Sequence, residues 1–198
     1  MNFYKFAVTA FRIYANIFYK FEVIGKENIP NEGNIIIAAN HKSNLDPILV
    51  AAAIQNREVA VIGKKELFEN KFLNKILTSM KVIPIDREKP DVSTIKTILR
   101  TIKQGDAIGI FPEGTRIKEV GFGDAKAGLS LFAIKGKCEI VPVSIISNYK
   151  LFNKVTIYID KTISLENYYK EKLTSDDYTR LSQDVFEIIK ENYYINSN

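Results

Sequence analysis

Ile35-Ile36-Ile37-Ala38-Ala39-Asn40-His41-Lys42-Ser43-Asn44-Leu45-Asp46-Pro47 is the stretch on which the fold turns. A short, unbroken apolar run rich in β-branched residues is the pattern of a strand buried on both faces, as in a parallel sheet covered by helices. The polar run that follows ends in Asp46-Pro47. An N-cap residue type before proline at the first helical position opens a helix, here through about Gln55. Strand, loop and helix in that order form the opening half of a βαβ unit.

The same alternation extends outward. Residues 21–25 form a short strand, and 27–33 form a turn rich in Asn, Pro and Gly. Val59 to Gly63 is a strand, Lys64 to about Met80 is helical with a break near Asn70, and Val82 to Ile85 is a strand. Asp91 to Lys103 is an amphipathic helix stopped by Gly105. Ala107 to Phe111 is a strand, 112–123 a Gly-rich loop, and Ala125 to Lys135 a helix ended by Gly136. Ile140 to Ile146 and Val155 to Ile159 are strands, and Thr174 to Glu191 is the last helix. These spacings predict an α/β fold: a mixed, mostly parallel sheet with helices on both faces, preceded by an N-terminal amphipathic helix. Two units are expected, the helix at 1–21 and a domain at 22–198, the latter large enough for a substantial core.

Composition narrows the function. The chain of 198 residues has a net charge of +5, one cysteine and one histidine. With Cys138 alone, no internal disulfide or multi-cysteine metal site can form, which favours a reducing compartment. No metal and no cofactor is expected. Residues 57–103 hold eleven Lys or Arg against six Asp or Glu, and a basic front half suits an anionic partner. Nucleic acid is not that partner: no stacking platform of aromatics interleaved with arginine is evident.

Residues 3–21 follow a helical period. Phe3, Phe6, Ala7, Ala10, Phe11, Tyr14, Ile17, Phe18 and Phe21 fall on one stripe, and Lys5, Thr9, Arg12, Asn16 and Lys20 on another. The apolar run is too short to span a bilayer, and no small-residue cleavage site follows it. A basic helix rich in Phe and Tyr suits an anionic membrane surface, although an ordinary surface helix shares the pattern.

Three loops at strand ends carry chemistry. In the first, His41 is the only side chain whose ordinary titration lies near neutrality. Asp46 five residues on can fix the imidazole tautomer, leaving the other nitrogen to take a proton from a bound hydroxyl. Taken alone the spacing is weak, since Asp46 serves equally as a helix cap. The second loop is Phe111-Pro112-Glu113-Gly114-Thr115-Arg116. Gly114 allows close backbone approach, Arg116 offers a planar fork for phosphate or carboxylate, and Glu113 holds Arg116 or anchors the loop. The third is a basic set, Lys64, Lys65 and Arg87, in which the two lysines open a helix whose dipole favours anions. A lone lysine pair is more often simply solvated.

Together these blocks resemble the glycerolipid acyltransferase family. Asn40 to Asp46 is similar to its His-x4-Asp block, Val82-Ile83-Pro84-Ile85-Asp86-Arg87 to its second block, Phe111 to Arg116 to its third, and Val141-Pro142-Val143-Ser144-Ile145 to its fourth. Glu27 to Pro30 and Lys64 to Leu67 are also similar. Two departures stand out: Lys81 where the family often has glycine, and Ile117 where it often has serine. The resemblance implies transfer of a fatty acyl group from acyl-CoA or acyl-carrier protein to the sn-2 hydroxyl of 1-acyl-sn-glycerol-3-phosphate, giving phosphatidic acid. His41 would be the general base and Asp46 its orienter. Arg87, Arg116 and Lys65 would hold the phosphate, with Glu113, Gly114 and Thr115 completing the substrate loop and the Gly114 region offering amides to an oxyanion. Another phosphorylated acceptor, glycerol-3-phosphate or a different lysophospholipid, fits the same blocks. A non-catalytic anionic-surface binder would have no need of the His41–Asp46 pair. The expected setting is the cytoplasmic face of the cell membrane, with peripheral or monotopic attachment.

Overall fold

The computed structural model describes residues 2–86, 92–117 and 119–197. Its centre is the strand quoted first, β2 (Ile35–Ala39), buried along its whole length. Side chains alternate across a strand, and two cores result. Ile36 and Ala38 face one side, with Ile98, Leu129 and Phe186. Ile35, Ile37 and Ala39 face the other, with Leu49 and Val50. An apolar residue at every position is what a strand covered on both faces requires.

Around β2 run β1 (Lys20–Ile24), β3 (Val59–Lys64), β4 (Ile83–Ile85), β5 (Ala107–Ile110), β6 (Glu139–Ser147) and β7 (Lys154–Ile159). Their order across the sheet is β1-β7-β6-β2-β5-β3-β4. All neighbours are parallel except β6 and β7. That exception follows from the connection: residues 148–153 suffice for a hairpin, whereas a parallel crossover takes a dozen residues or more. The predicted mixed, mostly parallel sheet with helices on both faces is therefore the observed one.

The helices are α1 (Phe3–Phe18), α2 (Asp46–Ala53), α3 (Lys71–Ser79), α4 (Val92–Lys103), α5 (Gly128–Gly136) and α6 (Ser175–Ile195). The break expected near Asn70 is a cap: its side chain accepts from Phe72 N and Leu73 N. Lys65–Phe68 before it is a short 3₁₀ turn, so Lys64 ends a strand, Lys65 starts the turn, and the pair does not open an α-helix. α6 starts with a reciprocal capping box between Thr174 and Asp177. Lys81, where the resemblance would put glycine, follows α3 with φ +56°. A left-handed residue closing a helix is the position glycine fills most easily. Here the Lys81 ammonium is engaged by Glu58 at 2.8 Å and Asp106 at 2.9 Å.

α1 differs from the expectation in two ways. It ends at Phe18, because Lys20 already pairs with Lys154 in the sheet. The predicted single apolar stripe also divides in two. Of its residues, Phe11 and Phe18 pack on the core beside the buried Tyr4 and Ala15, which the stripe did not include. Phe3, Phe6, Ile13 and Ile17 stay exposed on a neighbouring face, and Lys5, Thr9 and Asn16 occupy a third. The Tyr4 hydroxyl accepts from Val59 N at 2.8 Å, fastening the helix to the start of β3. Cys138 is a buried core residue whose thiol burial pushes up to about 12.

Replacing Ile36 by alanine should lower stability by about 2–5 kcal/mol, as for large cavities in rigid cores. Replacing the exposed Ile13 should change it by less than about 0.5 kcal/mol. Urea unfolding of the two variants makes the comparison.

Candidate active site

Because β2, β3, β4 and β5 run parallel, their carboxyl ends share one edge, where open α/β sheets bind ligands. The end of β2 is fixed by Asn40. Its fully buried side chain donates to Ile145 O (3.1 Å) and accepts from Ile145 N (2.7 Å), extending the β2–β6 ladder by one rung. His41 is thus aimed by a side chain that imitates backbone pairing.

His41 Nδ1 lies 3.0 Å from Asp46 Oδ2. The same oxygen accepts from Lys42 N and Ser43 N, both at 2.7 Å. The capping role foreseen for Asp46 is not what the geometry has. Asp46 is the first residue of α2, and its carboxylate turns back onto its own loop with no cap bond to the helix. With three N–H groups converging on one carboxylate oxygen, Nδ1 is the donating nitrogen, and Nε2 is left as the acceptor. The imidazole stacks on Phe111, with centroids 4.2 Å apart and planes 23° from parallel.

Glu113 resolves the choice left by its sequence. Its buried carboxylate accepts from His41 N (2.8 Å) and Gly123 N (3.1 Å). It therefore anchors the loop and leaves Arg116 alone. Ile117 N donates to His41 O at 3.0 Å, a second tie between the loops. Lys42 Nζ donates to Gly121 O and Glu119 O and lies 4.7 Å above the Phe122 ring. Burial pushes the Glu113 carboxyl above its ordinary range, and the Gly123 and His41 amides and the Lys42 charge only partly oppose it.

The remaining predicted residues are spread unevenly. Arg116 is exposed on the rim of a cavity of about 350 Å³ that His41 also lines. Among the described residues no carboxylate lies within ion-pair distance of its guanidinium. Thr115 is exposed beside it. Gly114 has φ +67°; its N–H donates to Phe111 O at 3.0 Å, so that amide is engaged within the turn. Lys65 is exposed and does not line the cavity, whereas Lys64 does. Arg87 lies outside the described residues. The cavity walls are apolar, with Ile48, Ala51, Val61, Leu77 and Val82 among them. A second apolar cavity of about 270 Å³ opens on the other side of Phe111, between β5, α4 and α5.

One side chain at the site was not found from sequence. Tyr149, just past β6, donates its hydroxyl to Asp46 Oδ1 at 2.7 Å. The partners are 103 residues apart, and no local pattern connects them.

The site thus brings a solvent-facing cation, a carboxylate-held imidazole and an apolar cavity together at one edge of an α/β sheet. The chain belongs to the acyltransferase family, whose model, described as Acyltransferase, matches residues 20–146. It is 35% identical over 141 residues to the 1-acyl-sn-glycerol-3-phosphate acyltransferase of Bacillus subtilis (strain 168), covering 71% of this chain and 70% of that one. It is 32% identical over 171 residues to the enzyme of the same name from Borreliella burgdorferi, covering 79% and 68%. The fold is also that of the crystal structure of the 1-acyl-sn-glycerophosphate (LPA) acyltransferase PlsC from Thermotoga maritima. There the TM-score is 0.74 at 23% identity, over 97% of this chain and 81% of that one.

The Glu113 tie gives a pH test with a definite sign. A carboxyl whose folded-state value is raised stabilises the fold fully below the unfolded value, near 4.5. That contribution is lost as pH rises through the folded-state value. Native stability measured against the non-titrating Glu113→Gln should therefore be more favourable at about pH 4 than at about pH 7, as read by urea unfolding at each pH.

Proposed function

We propose that the protein transfers a fatty acyl group from a thioester, acyl-CoA or acyl-carrier protein, to the sn-2 hydroxyl of 1-acyl-sn-glycerol-3-phosphate, giving phosphatidic acid. The observation that carries this reading is the His41–Asp46 pair at the mouth of an apolar cavity with Arg116 on its rim. The names of the relatives point to the same acceptor.

His41 Nε2 takes the proton of the sn-2 hydroxyl as its oxygen attacks the thioester carbonyl carbon. Asp46 stabilises the imidazolium that forms. The tetrahedral intermediate collapses by breaking the carbon–sulfur bond, and the departing thiolate takes the proton back from His41. The products are phosphatidic acid, with a new ester at the sn-2 oxygen, and a free thiol. Arg116 binds the acceptor phosphate by charge-assisted hydrogen bonds, with Arg87 and a lysine of the 64–65 pair as its expected helpers. The apolar cavity accommodates a fatty chain, which favours a lysolipid over glycerol-3-phosphate as acceptor. No covalent acyl-enzyme step is proposed, since the one cysteine is buried and its thiol is held protonated.

We also propose that the protein works at the surface of an anionic membrane, on the cytoplasmic face, through the exposed side of α1. Among the described residues no helix is long and apolar enough to cross a membrane. Phe6 and Ile13 are 55% and 57% exposed, and a row of large apolar side chains on a helix that carries no acidic residue suits the lipid interface.

Thiol release from acyl-CoA with lysophosphatidate should fall by about 10²–10⁴-fold in His41→Ala, the usual contribution of a general base. Equal activity in native and variant chains would remove His41 from the mechanism. Arg116→Ala should raise KM for lysophosphatidate by about 10–100-fold, the equivalent of one charged hydrogen bond. An acceptor without phosphate should be unaffected, and equal loss on both acceptors would instead make Arg116 a loop residue. Phe6→Ser combined with Ile13→Ser should lower co-sedimentation with anionic vesicles by about tenfold or more. These point changes keep Tyr4 and Ala15 packed, which deletion of the helix would not.

A further inference from the structure

Tyr149 sits in the hairpin between β6 and β7 with φ +56°, a left-handed conformation unusual for a bulky residue. The turn that holds it is fastened at several points. Tyr149 N donates to Ser147 Oγ at 2.9 Å. Phe152, also left-handed at φ +64°, donates its N–H to Phe18 O at the end of α1 at 2.6 Å. Lys20 N donates to Asn153 O at 3.0 Å. The ring packs against the core on the α2 side of the sheet. A backbone outlier that aims one hydroxyl at one carboxylate oxygen is an observation from which a functional role can be argued.

The two oxygens of Asp46 have separate tasks. Oδ2 takes His41 Nδ1 and two loop amides. Oδ1 takes the Tyr149 hydroxyl at 2.7 Å. Burial first, and the neighbouring Asp46 carboxylate second, push the Tyr149 phenol far above its ordinary range. Tyr149 is therefore a permanent donor and does not compete as an acid.

We propose that Tyr149 is a positioning residue for the base, holding the Asp46 carboxylate in the plane that orients His41 and drawing its charge toward Oδ1. This rests on the reading of His41 as general base. The physical consequence is a moderated carboxylate. Asp46 still orients the imidazole, but it stabilises the imidazolium less strongly than an isolated buried carboxylate would. Among the described residues, the other charged or titratable groups facing this cluster are Glu113 and Lys42, from the β5 loop and the His41 loop, and Tyr193 from α6. Arg116 lines the same cavity. None of these donates to Oδ1.

The test is Tyr149→Phe in the full chain, which removes one oxygen atom and keeps the packing. With lysophosphatidate and acyl-CoA, kcat should fall by about 10–100-fold, with KM for the acceptor within about twofold. The acid limb of the kcat/KM profile should move to higher pH by about 0.5–1 unit. His41 is the sole histidine, so its ring signals in NMR report the same movement without ambiguity. Replacement of Tyr149 by 3-fluorotyrosine, a stronger donor of nearly the same shape, should move the limb and the ring signals the opposite way. An unmoved or downward-moved His41 titration in Tyr149→Phe overturns the proposal, as does loss of activity that is uniform across pH. If the native chain shows no acyl transfer, the functional reading fails, while the His41 titration in the two variants still decides whether Tyr149 tunes the Asp46–His41 pair.

Discussion

A fully buried carboxylate that, among the described residues, forms no ion pair with lysine or arginine governs the arrangement of this molecule. Taking a charge out of water costs several kcal/mol unless hydrogen bonds replace the water. Asp46 meets that condition with donors from three sources: the imidazole of His41, two amides of its own loop, and the hydroxyl of Tyr149 from a distant hairpin. Each donor has to be where it is or the charge is left uncompensated. The loop after β2, the start of α2 and the β6–β7 turn are thus fixed relative to one another by one side chain.

A second buried carboxylate does comparable work on the main chain of His41. Glu113 ties the β5 loop to the backbone of His41 and to Gly123, and Phe111 at the start of that loop stacks on the His41 ring. The consequence is a base whose main chain, ring plane and proton are each held by different elements. Such over-determination is what keeps a site within the small tolerance that proton transfer demands. Arg116, in contrast, is left exposed on the cavity rim, as a side chain must be if it is to meet a charged ligand.

Much of this was legible in the sequence. The strand at 35–39, the alternation of strands and helices, and the loops at strand ends follow from apolar periodicity and turn chemistry, which act over a few residues. His41 with Asp46 was legible for the same reason, although the capping role foreseen for Asp46 gave way to a carboxylate turned back on its own loop. What escaped were choices among near neighbours and long-range partners. Lys64, not Lys65, lines the cavity, because a 3₁₀ turn replaces the helix start that the pattern suggested. The α1 stripe divided because one apolar face met the body of the protein and the adjacent one did not.

The sequence by itself determined which segments are strands, that the sheet is mostly parallel, and that the chemistry gathers where those strands end. Local rules suffice for this: side-chain spacing fixes the faces of each element, and connection length fixes the direction of the next strand. Only the tertiary structure decided that Asn40 pairs with Ile145, that Glu113 anchors its loop and does not hold Arg116, and that Tyr149 completes the shell of Asp46. The reason is physical. A buried polar group takes whatever donor the packed fold brings within about 3 Å, and that donor's place along the chain carries no local signal.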